Sequence, residues 1–334
     1  MKIAVIFTGG TIGSQENKDG FLSPDAKNSY TILSKYEKYN DKENVNFIPS
    51  VPFQILSEQM QGHFLEALIK HIKERLQEDS YDGFIVLHGT DTLAYTSSIL
   101  GYVFSYISIP LVIVSSDFPL NDSRANGLNN FIYAVKFICN TNKNGVFISY
   151  QNKNGLPTIH YGTRLLQQMP CSASVYSVKN AIYGQYISDN NFCTFDNYID
   201  STSKNLLQPD TEVHLYQSSS ILKLEACVGL KYPDVLPSET KAVLFNCYHS
   251  GTLCTENSLL SLANQAKEKN IPFYLTGCYS EGTSYDSEKI YDKYNMTALR
   301  DCSPIACYCK AWLILCNNLN WNHMLESYGN DIVL

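Results

Sequence analysis

Positive charge is scarce in this chain and nowhere gathered. Its 25 lysines and arginines stand against 32 acidic residues, giving a net charge of −7 with no basic block. Polyanions are recognised through clustered cations, so neither nucleic acid nor an acidic membrane surface is an expected partner. Long apolar runs are also missing. None approaches the roughly 20 residues of a membrane helix. Met1–Phe7 is too short for a signal peptide and passes directly into a glycine motif. The 11 cysteines are odd in number and sit in apolar surroundings such as Phe137-Ile138-Cys139, which reads as reduced core thiols of a cytoplasmic protein. Cys302, Cys307, Cys309 and Cys316 cluster, but without the paired Cys-x-x-Cys spacing of a zinc site. No metal and no cofactor is expected.

What is present is enough apolar material for a sizeable core: 44% hydrophobic residues over 334 positions, sufficient for one or two domains. Lys2–Phe7 (KIAVIF) has the β-branched composition of a strand buried on both faces. It ends in Thr8-Gly9-Gly10-Thr11-Ile12-Gly13, small residues that let the backbone approach a ligand closely. Taken alone, this motif also fits an ordinary strand-to-loop turn or a phosphate cradle. A second stretch, Tyr81–Thr92, repeats the arrangement: the apolar run Phe84–Leu87 is followed by His88-Gly89-Thr90-Asp91-Thr92. Open α/β sheets bind ligands at the carboxyl ends of their strands. Two such ends side by side would make one cleft with two hydroxyls and an acid. Leu93–Ile107 is helix-compatible, so Asp91 and Thr92 fall at a helix N-terminus, where they either cap it or help hold an α-carboxylate and α-ammonium. His88 reads as a buried, satisfied imidazole and is not the expected base.

TGGTIG near the N-terminus with HGTDTLAYT about 80 residues later resembles the bacterial-type L-asparaginase/glutaminase family, especially its cytosolic branch. The resemblance implies a doubly wound, mostly parallel α/β sheet of flavodoxin-like type with a second, smaller α/β domain. It implies hydrolysis of a small amino acid's side-chain amide in a cytoplasmic homodimer or homotetramer. On this pattern Thr11 is the nucleophile, Thr90 positions water, and Asp91 fixes that hydroxyl and the substrate ammonium. Gly10 and Gly89 shape the oxyanion cleft. Ser57 and Glu58, in the SxxM of Ser57–Met60, hold the α-amino and α-carboxylate groups. Ser116, in Ser115-Ser116-Asp117, contacts the amide. Tyr248-His249-Ser250-Gly251-Thr252 resembles a turn that the family lends to a neighbouring subunit, which makes Ser250 and Thr252 candidate contacts.

Two positions depart from the family. Its lid tyrosine, in a Gly-Tyr-x-x-Pro setting, corresponds to Phe21 in Gly20-Phe21-Leu22-Ser23-Pro24, within the polar, lid-like segment 14–32. Phenylalanine has no hydroxyl; Tyr30 is the nearest one that could replace it, and it also reads as a packing residue. The family's relay lysine, in G-N-R-T-T-K, corresponds to Gln167 in the run beginning Gly162-Thr163-Arg164. A glutamine amide neither accepts nor gives a proton at neutral pH. Arg164 and Lys179 are the nearby cations, and arginine stabilises charge without acting as a base.

Elsewhere, Phe64–Leu76 carries Leu65, Leu68, Ile69, Ile72 and Leu76 at helical spacing, with His63 and His71 on its surface. Leu111–Ser116 and Val146–Tyr150 read as further strands, and Asp122–Ile138 as a helix with Asn126 where the family has aspartate. The polar passage Ser188–Asn205 reads as a linker, dividing an N-terminal domain (1–190) from a C-terminal one (211–334) through residues 191–210. In the latter, Glu212–Tyr216, Ala242–Asn246 and Pro272–Thr276 are strand candidates and Leu259–Lys269 a helix. Ser303 caps a final helix running from Pro304 to Leu315. Three functions fit: an asparagine amidohydrolase, an amino-acid-binding protein on the same fold, or the amidase part of a tRNA-dependent amidotransferase. The last should bring a docking domain or a basic face, and neither shows. One methylene in a pocket is worth about 1–3 kcal/mol, so the sequence does not rank asparagine against glutamine.

Overall fold

The computed structural model describes residues 1–16, 22–24, 30–195, 204–281 and 285–333. Phe21 and most of the lid-like segment lie outside them, as do residues 196–203. The chain begins with β1 (Lys2–Phe7), then a short ribbon of β2 (Ser14–Glu16) and β3 (Leu22–Pro24). There follow α1 (Thr31–Glu37), β4 (Asn46–Ser50), α2 (Gly62–Glu78), β5 (Gly83–Leu87) and α3 (Leu93–Val103). After these come β6 (Pro110–Val114), α4 (Gly127–Thr141), β7 (Gly145–Tyr150), β8 (Thr158–Tyr161), β9 (Gly184–Ser188) and β10 (Asn191–Thr194). The large sheet has the order β10-β9-β8-β7-β6-β5-β1-β4. Its five strands from β7 to β4 are parallel, and β8, β9 and β10 run antiparallel at one edge.

The parallel part is the doubly wound, flavodoxin-like arrangement, in which the chain reverses its direction of travel between β1 and β5. The crevice at that reversal is where such sheets take their ligands. Each β1 residue shows why the run is uninterrupted. Ile3, Val5 and Phe7 enter a core with Ile32 and Tyr36 of α1 and Phe131 of α4. Ala4 and Ile6 enter the opposite core with Leu65, Leu68, Ile69 and Ile72 of α2. Full burial of each large side chain stabilises by about 1.5–3 kcal/mol. His63 is exposed, whereas His71 is half-buried and shares a 2.8 Å hydrogen bond with Ser50 Oγ.

The second, smaller sheet is wholly parallel: β11 (Ile221–Glu225), β12 (Ala242–Asn246), β13 (Phe273–Cys278) and β14 (Met296–Arg300), in that order. It carries α5 (Asn257–Glu268), α6 (Ile290–Lys293) and α7 (Pro304–Cys316). Leu259, Leu262, Ala263 and Ala266 of α5 bury against one face. On the other side, Leu313 and Ile314 of α7 join Leu244 and Tyr274 to the α2–α3 core of the large sheet.

Several expectations need correction. Glu212–Tyr216 forms no strand, because side chains satisfy its backbone instead. His214 N donates to Asn317 Oδ1 (3.0 Å), Leu215 N to a Glu66 carboxylate oxygen, and Trp312 Nε1 to Tyr216 O (2.9 Å). The passage expected as a linker opens with β10, whose pairing with β9 carries the large sheet to Thr194. α4 starts at Gly127 rather than Asp122, since Asn126 and Asp117 bond each other's backbone N–H groups at 3.1 and 3.2 Å and turn the chain first. Ser303 is the N-cap residue of α7 and Pro304 its first helical residue, as expected, but the Ser303 hydroxyl donates to Leu165 O at 2.5 Å and not back to the helix. The cysteines are all free, but Cys171, Cys193, Cys227 and Cys254 are exposed and Cys139 is half-buried. Among the described residues, no helix is long and apolar enough to cross a membrane, and no group of three or more His, Cys, Asp or Glu is placed to hold a metal ion.

One buried ion pair locks the core between the sheets. Lys310 Nζ lies 2.6 Å from Asp331 Oδ2, both side chains almost fully buried. Tyr102 Oη donates to the same oxygen (2.9 Å), Tyr328 N donates to the other (3.0 Å), and Lys310 also donates to Glu326 O (2.7 Å). Asp331→Asn leaves the buried ammonium without a counter-charge and should cost about 3–5 kcal/mol, read as a lowered urea midpoint. Removing both charges, with Lys310→Met and Asp331→Leu together, should cost much less than the single change.

Candidate active site

The two glycine-threonine turns follow β1 and β5, which pair directly. Thr8 ties them at their base: its N–H and its Oγ1 both donate to Leu87 O, at 3.2 and 2.8 Å. Gly9 and Gly10 then adopt φ of +106° and +76°, which residues with a side chain rarely take. Space imposes the same choice. A Cβ on Gly9 would lie 2.1 Å from Ile55 O, and one on Gly10 would lie 2.3 Å from Gly89 N. The turns that deliver Thr11 and Thr90 therefore touch backbone to backbone. Gly10 N–H donates to Ile55 O at 2.9 Å, so Gly10 shapes the cleft with that donor already committed. Thr11 opens a single 3-10 turn, Thr11–Gly13, and both Thr11 and Thr90 are half-buried.

Ser57 sits under the second turn. Its Oγ donates to Asp91 Oδ2 (3.2 Å) and accepts from Asp91 N (3.3 Å), while Thr92 Oγ1 donates to Ser57 O (2.9 Å). The Thr92 hydroxyl thus fastens two loops and does not cap α3. Glu58, next in the chain, is exposed, as is Asp91. Gln167 reaches the same place from the strand-end loop after β8: its Nε2 donates to Asp91 O at 3.0 Å. Ser57, Gly89, Asp91 and Gln167 are thus gathered around one turn.

Other expected site residues stand elsewhere. The Ser116 hydroxyl is buried and used twice, donating to Phe118 O (2.6 Å) and accepting from Gly127 N (3.1 Å), so it holds the entry to α4. Tyr30 packs its ring on Phe7 at 5.2 Å between centroids, in keeping with the packing reading. Arg164 is fully buried. Its Nε donates to Asn330 O (2.6 Å) and its guanidinium stacks on Tyr161. Lys179 is taken by Asp301 (3.3 Å) and Glu281 (3.2 Å). Ser250 and Thr252 hydrogen-bond each other at 2.9 Å in the turn after β12.

One group escaped the sequence reading. Ile55 supplies the carbonyl that positions Gly10, and no side-chain motif announces a backbone acceptor. His88 is the buried, satisfied imidazole expected, and it orients the second turn: Nδ1 is 2.7 Å from Gly89 O and Nε2 is 2.9 Å from Thr96 Oγ1. A carbonyl only accepts, so Nδ1 carries the hydrogen and Nε2 accepts from Thr96. Burial pushes the His88 imidazole down to about 4, and the same cause brings buried His160 to about 4. Both are neutral at neutral pH. On acidification the unfolded chain takes up these protons first, near 6.5. The stability contributed by each neutral ring is therefore intact above pH 6.5 and lost as pH falls towards 4, by about 3 kcal/mol per ring. His160, bonded to Ser177 Oγ (2.9 Å), lies outside the site. His160→Gln should shrink the fall in urea midpoint between pH 7 and pH 4.5 by about half of the two-histidine contribution.

Chemically, the arrangement brings two threonine-bearing turns and one carboxylate to a shared crevice. The chain is 30% identical to L-asparaginase 1 of Escherichia coli over 156 residues, 45% of this chain and 44% of that protein. It is 36% identical over 138 residues to a glutamyl-tRNA(Gln) amidotransferase subunit of Saccharolobus solfataricus, 40% of this chain and 30% of that one. The matched segment spans less than half the length of these relatives. The fold superposes over the full length of both chains on the thermostable L-asparaginase from Thermococcus kodakarensis, with a TM-score of 0.80 at 19% identity. The model of the N-terminal region of asparaginases matches residues 2–195. This is more than half of the chain and includes both threonine turns, Ser57 and Gln167, so the chain belongs to the asparaginase family.

Proposed function

We propose that this protein is an L-asparagine amidohydrolase that releases aspartate and ammonia. The observation that carries the reading is the contact of Gly10 with Gly89, which holds the Thr11 and Thr90 turns together beside Asp91. In this reading the Thr11 hydroxyl attacks the side-chain carboxamide carbon. Backbone N–H groups of the two turns, other than that of Gly10, stabilise the oxyanion. Ammonia leaves, and the acyl-threonine ester is hydrolysed by a water held at Thr90. Asp91, braced by Ser57, pairs with the substrate ammonium, and Glu58 stands at the rim. The Tyr248–Thr252 turn supports assembly as a homodimer or homotetramer in which Ser250 and Thr252 complete a neighbour's site. The same reading divides the chain into a catalytic domain, a linker and a smaller C-terminal domain.

Gln167 favours a second reading, an amino-acid-binding protein that has lost turnover, because its amide replaces a proton-transferring amine beside Asp91. One experiment separates them. Ammonia release from L-asparagine and L-glutamine is followed with the full chain, and aspartate binding is measured by calorimetry on the same preparation. Ammonia release upholds the hydrolase. Aspartate binding with no ammonia from either amide replaces it with the binding protein.

A further inference from the structure

The start of α7 carries two sulfurs that the amide chemistry does not use. Cys302 and Cys307 are buried, and their Sγ atoms lie 2.9 Å apart, a small adjustment from the ~2.05 Å of a disulfide bond. Their neighbours on the helix are engaged differently: Cys309 Sγ donates to Tyr95 O (3.6 Å) and Cys316 Sγ to Tyr216 O (3.6 Å). Cys302 and Cys307 also line a cavity of about 90 Å³ together with Arg300, Lys310 and Leu325. Arg300 and Leu325 are exposed, so the cavity meets the surface. A water molecule's share of liquid volume is about 30 Å³, and the space accepts hydrogen peroxide. The hydrogen bond to Cys307, and then burial, hold the Cys302 thiol well above its usual range, with Lys310 acting in the opposite sense.

Between the two cysteines stands Ser303, whose hydroxyl holds Leu165 O. Two residues beyond Leu165, Gln167 holds Asp91 O. We infer that Cys302 and Cys307 are an oxidisable dithiol whose closure into a disulfide shifts the Ser303–Leu165 contact and withdraws Gln167 from Asp91. The oxidant is a hydroperoxide. The Cys307 sulfur attacks the peroxide O–O bond, giving a sulfenic acid and one water from hydrogen peroxide. The Cys302 sulfur then displaces the sulfenic oxygen as a second water, and the S–S bond forms. Two thiols lose two electrons and two protons, and the peroxide is reduced. A small dithiol reverses the step. The effect on turnover rests on the proposed hydrolase, whereas formation of the bond does not.

The test treats the full chain, first reduced, with hydrogen peroxide and maps its sulfurs after alkylation under denaturing conditions. Cleavage after Arg300 and Tyr308 leaves a peptide, Asp301–Tyr308, that holds both cysteines. The expected result is a peptide lighter by two hydrogens and unreactive to alkylation. It should come with ammonia release about five- to tenfold lower, the loss of one neutral hydrogen bond, restored by dithiothreitol. Cys302→Ser and Cys307→Ser should show neither change, and Cys302→Ala serves should a serine variant fail to fold. Two alkylated sulfurs in peptide Asp301–Tyr308 overturn the proposal. A disulfide that leaves turnover unchanged overturns its link to Gln167. A reduced chain that releases no ammonia refutes the hydrolase alone, because the peptide mass still decides the dithiol.

Discussion

Thr11→Ala should lower ammonia release from L-asparagine by about 10⁴-fold or more, the scale seen when a hydroxyl nucleophile is removed from its setting. The change deletes one half-buried hydroxyl on a 3-10 turn whose path is set elsewhere, by the positive φ of Gly9 and Gly10 and by the Gly10–Ile55 hydrogen bond. The variant should accordingly keep its urea midpoint and its affinity for aspartate. The informative comparison is kcat against aspartate affinity on one preparation. A variant that retains ammonia release within a few-fold of the parent removes Thr11 from the mechanism, since no other part of the proposal makes the acyl bond.

Gln167→Lys carries the second-largest effect, in the opposite direction. General acid–base partners contribute about 10²- to 10⁴-fold, and an amide side chain supplies none of this. Gln167 already reaches the Asp91 peptide, at 3.0 Å, and the lysine stem is long enough to set an amine beside Thr90 and the Asp91 carboxylate. We expect kcat for L-asparagine to rise by about 10²-fold or more. The rate should acquire a new alkaline dependence as the ammonium loses its proton. Gln167→Met, which fills similar volume without a proton to move, should give no gain. If lysine and methionine behave alike, this chain moves its proton through another group and Gln167 is only a strut.

The parts of the molecule that were readable in advance are those written in a single run of residues. Ile3–Phe7 is buried on both faces and so carries no polar interruption, and the glycines that follow it face backbone on both sides. α2 shows its buried stripe directly in its spacing. The rest depends on partners far apart in the chain. β8, β9 and β10 are short, and their antiparallel pairing across the sheet edge leaves little periodic signal. Glu212–Tyr216 alternates as a strand would, but Glu66, Trp312 and Asn317 satisfy its backbone instead. Arg164 follows a glycine and a threonine just as a family motif suggests, and only the position of Asn330 reveals that it turns away from the cleft. The family pattern located Gln167 to the residue; its reach to a main-chain oxygen required three dimensions.

The loop carrying Gln167 has one last implication. Thr163 Oγ1 donates to Gly329 O and Arg164 Nε to Asn330 O, so the loop is fastened by residues made some 166 positions later. A chain still lacking Gly329 and Asn330 has both threonine turns but is without two of the hydrogen bonds that place the loop between them and α7. Under the proposed hydrolase, full amide turnover would therefore wait for these late-made residues to tie the loop down.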